Sequence, residues 1–294
     1  MLNIEDIRKK LTDEPIPSEV LEIRQRITNY FQNLEFIEDG HKYYLHNEDG
    51  STDEMESVSN VCHKFQPEVD WDTIAERKAL KIGVDSKILK REWFEKNKKS
   101  TSNGSLTHLF AEAMMYFCMD EIDSMSNIIK KMQFENGYLI PYGNKQEAVS
   151  KFYEDLLSVH NFYPVMPEAK IYIKAGDNPY GIKYNIAGTF DALFAFKDKN
   201  GNYKLAIFDW KTNENLKNDY NWKNHNTLLE PFKNMTDEPL SIYTLQLNLY
   251  QLGLQQAIDC DIIDRRLVWL KNDGTYEKIS IPDISNKLVE ALSV

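Results

Sequence analysis

The sequence predicts an α/β fold, a strand-rich core behind a helical N-terminal elaboration. Three observations predict it. Up to about residue 160 the apolar residues recur mainly at helical steps, from KIYIKA onward the period becomes that of strands, and one apolar helix then separates this strand cluster from two last strands.

Taken in order, residues 1–33 read as a polar helical arm, with Ile4, Ile7 and Leu11, then Val20, Leu21, Ile23 and Ile27, at loosely helical spacing around Pro15 and Pro17. FIEDGHKYYLHNEDGS follows, where aromatic and β-favouring residues surround two Asp-Gly turns, as in a small hairpin. Helical periodicity covers 72–97, 106–129 and 145–159. In the second of these Leu109, Ala113 and Tyr116 form an apolar stripe with Phe110 and Phe117, which leaves His108 and Glu112 one turn apart on a neighbouring face. In the third, Val149, Phe152, Tyr153, Leu156 and Leu157 face inward. KIYIKA, IAGTFDALFAF and YKLAIFDWKT are strands, the last two joined by the turn sequence KDKNGN. Residues 212–240 form a polar loop with Tyr220, Trp222 and Phe232, longer than a connection requires and therefore functional or mobile. A helix over 240–257 carries Ile242, Leu245, Leu249 and Leu252, and the strands RRLVWLK and YEKISIP flank the turn Asn272-Asp273-Gly274.

With 294 residues, 42% of them hydrophobic, the chain can bury a sizeable core, which excludes a disordered or fibrous protein. It lacks an apolar run of about 18 residues and the apolar core of a signal peptide, so a soluble, cytoplasmic protein without membrane association is expected. Cys62, Cys118 and Cys260 stand far apart and read as buried reduced thiols rather than a disulfide framework or a zinc or iron–sulfur site. A net charge of −11 argues against a protein that simply coats nucleic acid. The charge is unevenly placed, with eight acids against Lys42 between Glu35 and Glu56, and seven Lys or Arg against three acids between Lys81 and Lys99. A local basic face is therefore available for an anionic partner.

The chemistry concentrates in the central hairpin. Residues two apart on a strand share a face, so Asp209 and Lys211 project together and Asp191 lies opposite them across the turn. Two carboxylates beside a lysine suit Mg²⁺ or Mn²⁺, with the lysine orienting a water and stabilising charge on a phosphoryl group. Of four acid-x-Lys pairs in the chain, only Asp209/Lys211 follows an Asp-bearing strand through a hairpin turn. A solvated strand end with a surface ion pair is the alternative that spacing leaves open.

Gly188 to Asp191, Asp209-Trp210-Lys211 and Gln246 to Tyr250 follow, in order, the pattern Gly-x-x-Asp, Asp/Glu-x-Lys, Gln-x-x-x-Tyr. With Gly104 and His108 upstream in NGSLTHLFAEA, and Glu168 in PEAKIYI, the chain resembles the PD-(D/E)xK nuclease superfamily in its RecB-like exonuclease branch, over about residues 36–260. HKYYL, SVSNV and LEPF look most like phage and mitochondrial-type members.

The resemblance implies a restriction-endonuclease-like core, a central mixed β-sheet flanked by helices. Residues 1–33 would be an arm, and 34–294 a nuclease domain whose hairpin and helical part (34–145) precede a catalytic core (146–294). Asp191, Asp209 and Lys211 would be catalytic. The metal would be held by Asp191, Asp209, the Trp210 carbonyl, His108 and Glu168, and substrate by Gln246 and Tyr250. Apart from the resemblance, the aromatic and cationic residues of KNDYNWKNHN, Trp222 among them, suit stacking on unpaired bases of the substrate, with a solvated loop as the alternative. The literal Pro before Asp191 is replaced by Phe190, and the cysteines that hold an iron–sulfur cluster in some relatives are missing, so Mg²⁺ or Mn²⁺ without such a cluster is expected.

The implied activity is hydrolysis of DNA phosphodiesters by an exonuclease acting on single-stranded or duplex ends, in recombination, repair or phage genome processing. An endonuclease on the same fold and a non-catalytic nucleic-acid or protein-binding module are the alternatives. The acidic 35–56 segment and the arm could also serve a partner such as a recombinase or single-strand-binding protein.

Overall fold

Eight strands and the helices around them are described by a computed structural model covering residues 15–159, 161–258 and 261–294. Ile4, Ile7, Leu11 and Cys260 lie outside the described residues. The order is α1 (Ser18–Phe31), β1 (Leu34–Ile37), β2 (Lys42–His46), β3 (Thr52–Ser57), α2 (Val58–His63), α3 (Trp71–Ile82), α4 (Ser86–Cys118), α5 (Ile122–Glu135) and α6 (Asn144–Leu157). Then come β4 (Phe162–Ile173), β5 (Ile186–Lys197), β6 (Tyr203–Lys211), α7 (Asp219–Lys223), α8 (Pro239–Gln255), β7 (Ile262–Leu270), β8 (Tyr276–Ser280) and α9 (Ser285–Leu292).

The sheet is mixed, with the path β1-β2-β3-β5-β6-β7-β8 and β4 paired to β5. One core lies between the sheet and α1, α2, α8 and α9, where Val20, Ile27, Val61, Ile171, Leu193, Leu249 and Leu288 meet. A second lies under α6 and the end of α4, where Met115, Phe152, Tyr153, Phe208 and Trp210 meet. Apolar side chains on both faces explain why β5 and β6 read as near-continuous hydrophobic runs. The apolar face of α1 is spent in the first of these cores rather than left free.

Several elements differ from the sequence expectation. The two Asp-Gly turns join three antiparallel strands, β1–β3, not one hairpin. The helical stretch expected from 72 to 97 is divided at Gly83, which takes the left-handed conformation (φ +72°) and ends α3. In place of a break between 97 and 106, α4 runs unbroken through KKSTSNGS. Ser105 and Thr107 return their hydroxyls to the Thr101 and Asn103 carbonyls, and the packed residues after them hold the helix against their weak propensity. Gly104 is consequently inside a helix rather than at its start, and a Cβ there would stand 3.2 Å from Thr212 Oγ1.

Strand β4 begins well before KIYIKA and, among the described residues, pairs with β5 alone, an edge position that accommodates Pro164 and Pro167. The 212–240 segment is anchored, not loose, because Leu216, Leu228 and Phe232 are buried and Thr227 bridges Thr236. Helix α9, unforeseen in the sequence, buries Leu288 and Leu292. No helix among the described residues is long and apolar enough to cross a membrane.

Candidate active site

The sheet opens where the motif residues meet. On one edge β5 pairs with β3 through Ile186 and Ala187, and with β6 only from Ala192 onward, so Gly188 to Asp191 have no strand partner there. Phe190 and Leu193, three residues apart, enter the same core, so the strand's alternation breaks at Asp191. On the other edge the register either side sets Glu168 opposite Asp191, and Glu168 has φ +45°, left-handed backbone that strains a glutamate. Both strands are thus deformed at the same point.

Into this opening project the candidate residues. Asp191 is 8% exposed; its Oδ1 meets His108 Nδ1 of α4 at 2.9 Å, and its Oδ2 accepts the Trp210 backbone N–H at 2.6 Å. The carboxylate therefore satisfies a backbone donor left free where the β5–β6 ladder ends. Asp209, 3% exposed, has Oδ2 in ionic contact with Lys211 Nζ at 2.5 Å, but without hydrogen-bond geometry, so this buried oxygen has no hydrogen-bond partner. Lys211 lies over the Tyr243 ring of α8, its Nζ 4.3 Å from the centroid. On the same helix Gln246 Nε2 donates to Tyr250 Oη at 2.7 Å. A Cβ at Gly188 would stand 2.8 Å from Tyr250 Cε1, so the glycine admits the tyrosine to the strand.

His108, Gly188, Asp191, Asp209, Lys211, Gln246 and Tyr250 line one cavity of about 890 Å³, together with Glu112, Glu168, Tyr43 and Thr189. Burial would raise Asp191, but His108, Lys211 and the Trp210 N–H outweigh it and lower its pKa. Burial, only partly offset by Lys211, pushes Asp209 up to about 6. Burial likewise holds Glu112 up at about 7, and burial with the charge of Asp191 holds Glu168 well above the ordinary range. His108 and Lys211 are raised despite burial, the first by Asp191 and the second chiefly by Asp209. The cavity thus gathers Glu112, Glu168, Asp191 and Asp209 against His108, Lys131, Lys170 and Lys211.

Among the described residues no three His, Cys, Asp or Glu side chains stand as a ready-made metal cage. The donor chemistry nevertheless fits a hard divalent cation: carboxylate oxygens of Asp191, Asp209 and Glu168, an imidazole, and an Asp209 oxygen buried without a hydrogen bond.

The structure brings together Asp191, Asp209, Lys211, His108, Glu168, Gln246 and Tyr250. It does not bring Trp222, which is exposed on α7 and does not line the cavity. In a helix, residues two apart point about 200° from each other, so Trp222 faces away from whatever Tyr220 faces. Glu112, to which the sequence assigns no role, lines this cavity, and Tyr243, which no sequence motif singles out, holds Lys211. Their signals were positional: Glu112 one turn after His108, Tyr243 one turn before Gln246.

No protein-family model matches the chain. No curated protein is similar to it either. Solved structures do match; one, described as "Crystal structure of SSO0001", has 16% identity over 63% of this chain and 70% of its own, with a TM-score of 0.28. A likeness that slight carries no argument.

Proposed function

We propose that the chain is a divalent-metal-dependent nuclease of the PD-(D/E)xK type with a restriction-endonuclease-like core. It hydrolyses DNA phosphodiesters, in particular as an exonuclease on DNA ends in recombination, repair or phage genome processing. The observation that carries this reading is the convergence of Asp191, Asp209 and Lys211 in the gap of the sheet. Asp191, Asp209, the Trp210 carbonyl, Glu168 and His108 are the groups that would hold Mg²⁺ or Mn²⁺. Once bound, such an ion lowers the pKa of a water and draws charge from the phosphoryl oxygens.

The chain's own part is orientation. Lys211 is a fully charged donor pinned between Asp209 and the Tyr243 ring, so its N–H groups can direct an attacking water and stabilise negative charge on the phosphoryl oxygens. His108 holds Asp191 in one rotamer, and Tyr250 with Gln246 fixes β5 at Gly188.

The test is cleavage of end-labelled linear single-stranded, linear duplex and closed circular DNA with Mg²⁺ or Mn²⁺. The expected result is loss of linear DNA with circles spared, and a fall of at least about 10²–10³-fold in Asp209→Ala and Lys211→Ala. Cut circles would replace the exonuclease by an endonuclease. Inactivity under both metals would reject the nuclease.

A further inference from the structure

Three surface cavities join end to end. The catalytic cavity and a second of about 1400 Å³ share Ser59, Lys211 and Gln246. The second and a third of about 850 Å³ share Asn218, Tyr220 and Pro239. Lys211 stands at the first junction and Tyr220 at the second, so the reacting centre lies toward one end of a continuous trough.

The long arm of that trough displays aromatic rings. Tyr220 is 70% exposed and Trp71, in the second cavity, 64%. Large rings left in water along a groove that leads to a polar site mark a contact surface. Tyr220 is presented on a fixed platform: the Asn218 side chain caps α7, and Asn221 Nδ2 donates to the Asp237 carbonyl at 2.5 Å.

Four of the six acids lining this arm are engaged, Asp70 with Thr73, Asp237 with Gln66, Glu238 with the Asn218 N–H and Glu277 with Lys271. Each cavity of the arm also carries a cation in its lining, Arg77 in the second and Lys217 in the third, with Lys211 at the junction to the catalytic cavity. Rings for flat apolar faces, with cations to one side, are what a polynucleotide with exposed bases requires. In a duplex each base face is covered by its neighbours, so only an unpaired strand can use them.

We propose that the trough binds an unpaired polynucleotide strand, with Tyr220 stacking on a base and Trp71 on another nearer the reacting centre. This deepens the nuclease reading and rests on it. The longer arm takes the body of the strand and the catalytic cavity its end.

The test is fluorescence anisotropy with labelled single-stranded DNA and RNA oligonucleotides of about 4 to about 16 nucleotides and a duplex control, in a Lys211→Ala background that cannot consume them. Expected is tighter binding of unpaired strands than of duplex, with affinity rising with length. Tyr220→Ala should weaken it by about five- to about a hundredfold, and Tyr220→Phe should restore it. Equal binding of the Tyr220→Ala protein, with an unchanged thermal melt, overturns the proposal, as does a preference for duplex. The DNA and RNA arms identify which sugar the strand carries. Cleavage by the otherwise wild-type protein separates the two readings: strand binding that depends on Tyr220 without any cleavage sinks the nuclease alone, and cleavage whose KM ignores Tyr220→Ala sinks the trough alone.

Discussion

Burial holds the Glu112 carboxyl at about 7 against an ordinary 4.5, with Lys131 offsetting part of the effect and Asp191 adding to it. A group that holds its proton more tightly folded than unfolded favours the fold below the unfolded value, here about 4.5, and ceases to do so as the pH rises through about 7. Glu112→Gln removes that dependence. In metal-free protein, urea unfolding at pH about 8 should show the variant more stable by about 1–2 kcal/mol, and at pH about 4, below the unfolded value, the difference should vanish. No gain at the higher pH would mean the carboxyl ionises there without penalty. Glu168 and Asp209 obey the same sign, so the acids that suit this cavity to a cation weigh against the cation-free fold.

Helix α8 carries Tyr243, Gln246 and Tyr250 to the cleft, and its depth against the sheet is set by Gly253. A Cβ there would stand 2.6 Å from Ile171 Cδ1 and 2.9 Å from Ile171 Cβ, the second of which cannot swing aside. Alanine is the better helix former by about 1 kcal/mol, but crowding of this kind costs about 1–3 kcal/mol. Gly253→Ala should therefore lower the thermal midpoint, and because α8 moves outward, cleavage should fall with it. An unchanged midpoint would show that β4 yields freely. Helix α4 makes the complementary approach from the other side, where Gly104 brings it against Thr212 and places His108 beside Asp191.

Across the molecule the charges are segregated. Acids crowd the β1–β3 meander and the cavity, while α3 and the first half of α4 hold more cations than acids. A cation bound among Asp191, Asp209 and Glu168 relieves like-charge repulsion that exists only when the chain is folded, so it must stabilise the fold. Saturating Mn²⁺, about a hundredfold over its Kd, should add about 2.7 kcal/mol to unfolding, read as a raised thermal midpoint. Asp209→Ala should abolish most of that shift. A shift of full size in the variant would place the ion elsewhere.

What could be read from the chain alone was what depends on short spacings. Period two set Asp209 and Lys211 on one face of β6, an interval of four set His108 and Glu112 on one face of α4, and the KDKNGN turn set β5 against β6. Folding in three dimensions settled the rest. That Glu168 lies inside a strand opposite Asp191, that α4 is unbroken and that β5 loses its partner at Gly188 all follow from long-range pairing and packing. Those terms outweigh local propensity by more than any window of sequence records. The same holds for Tyr220, which lines the trough where the neighbouring Trp222 does not, because the direction of each ring depends on how a five-residue helix is seated against the rest of the chain.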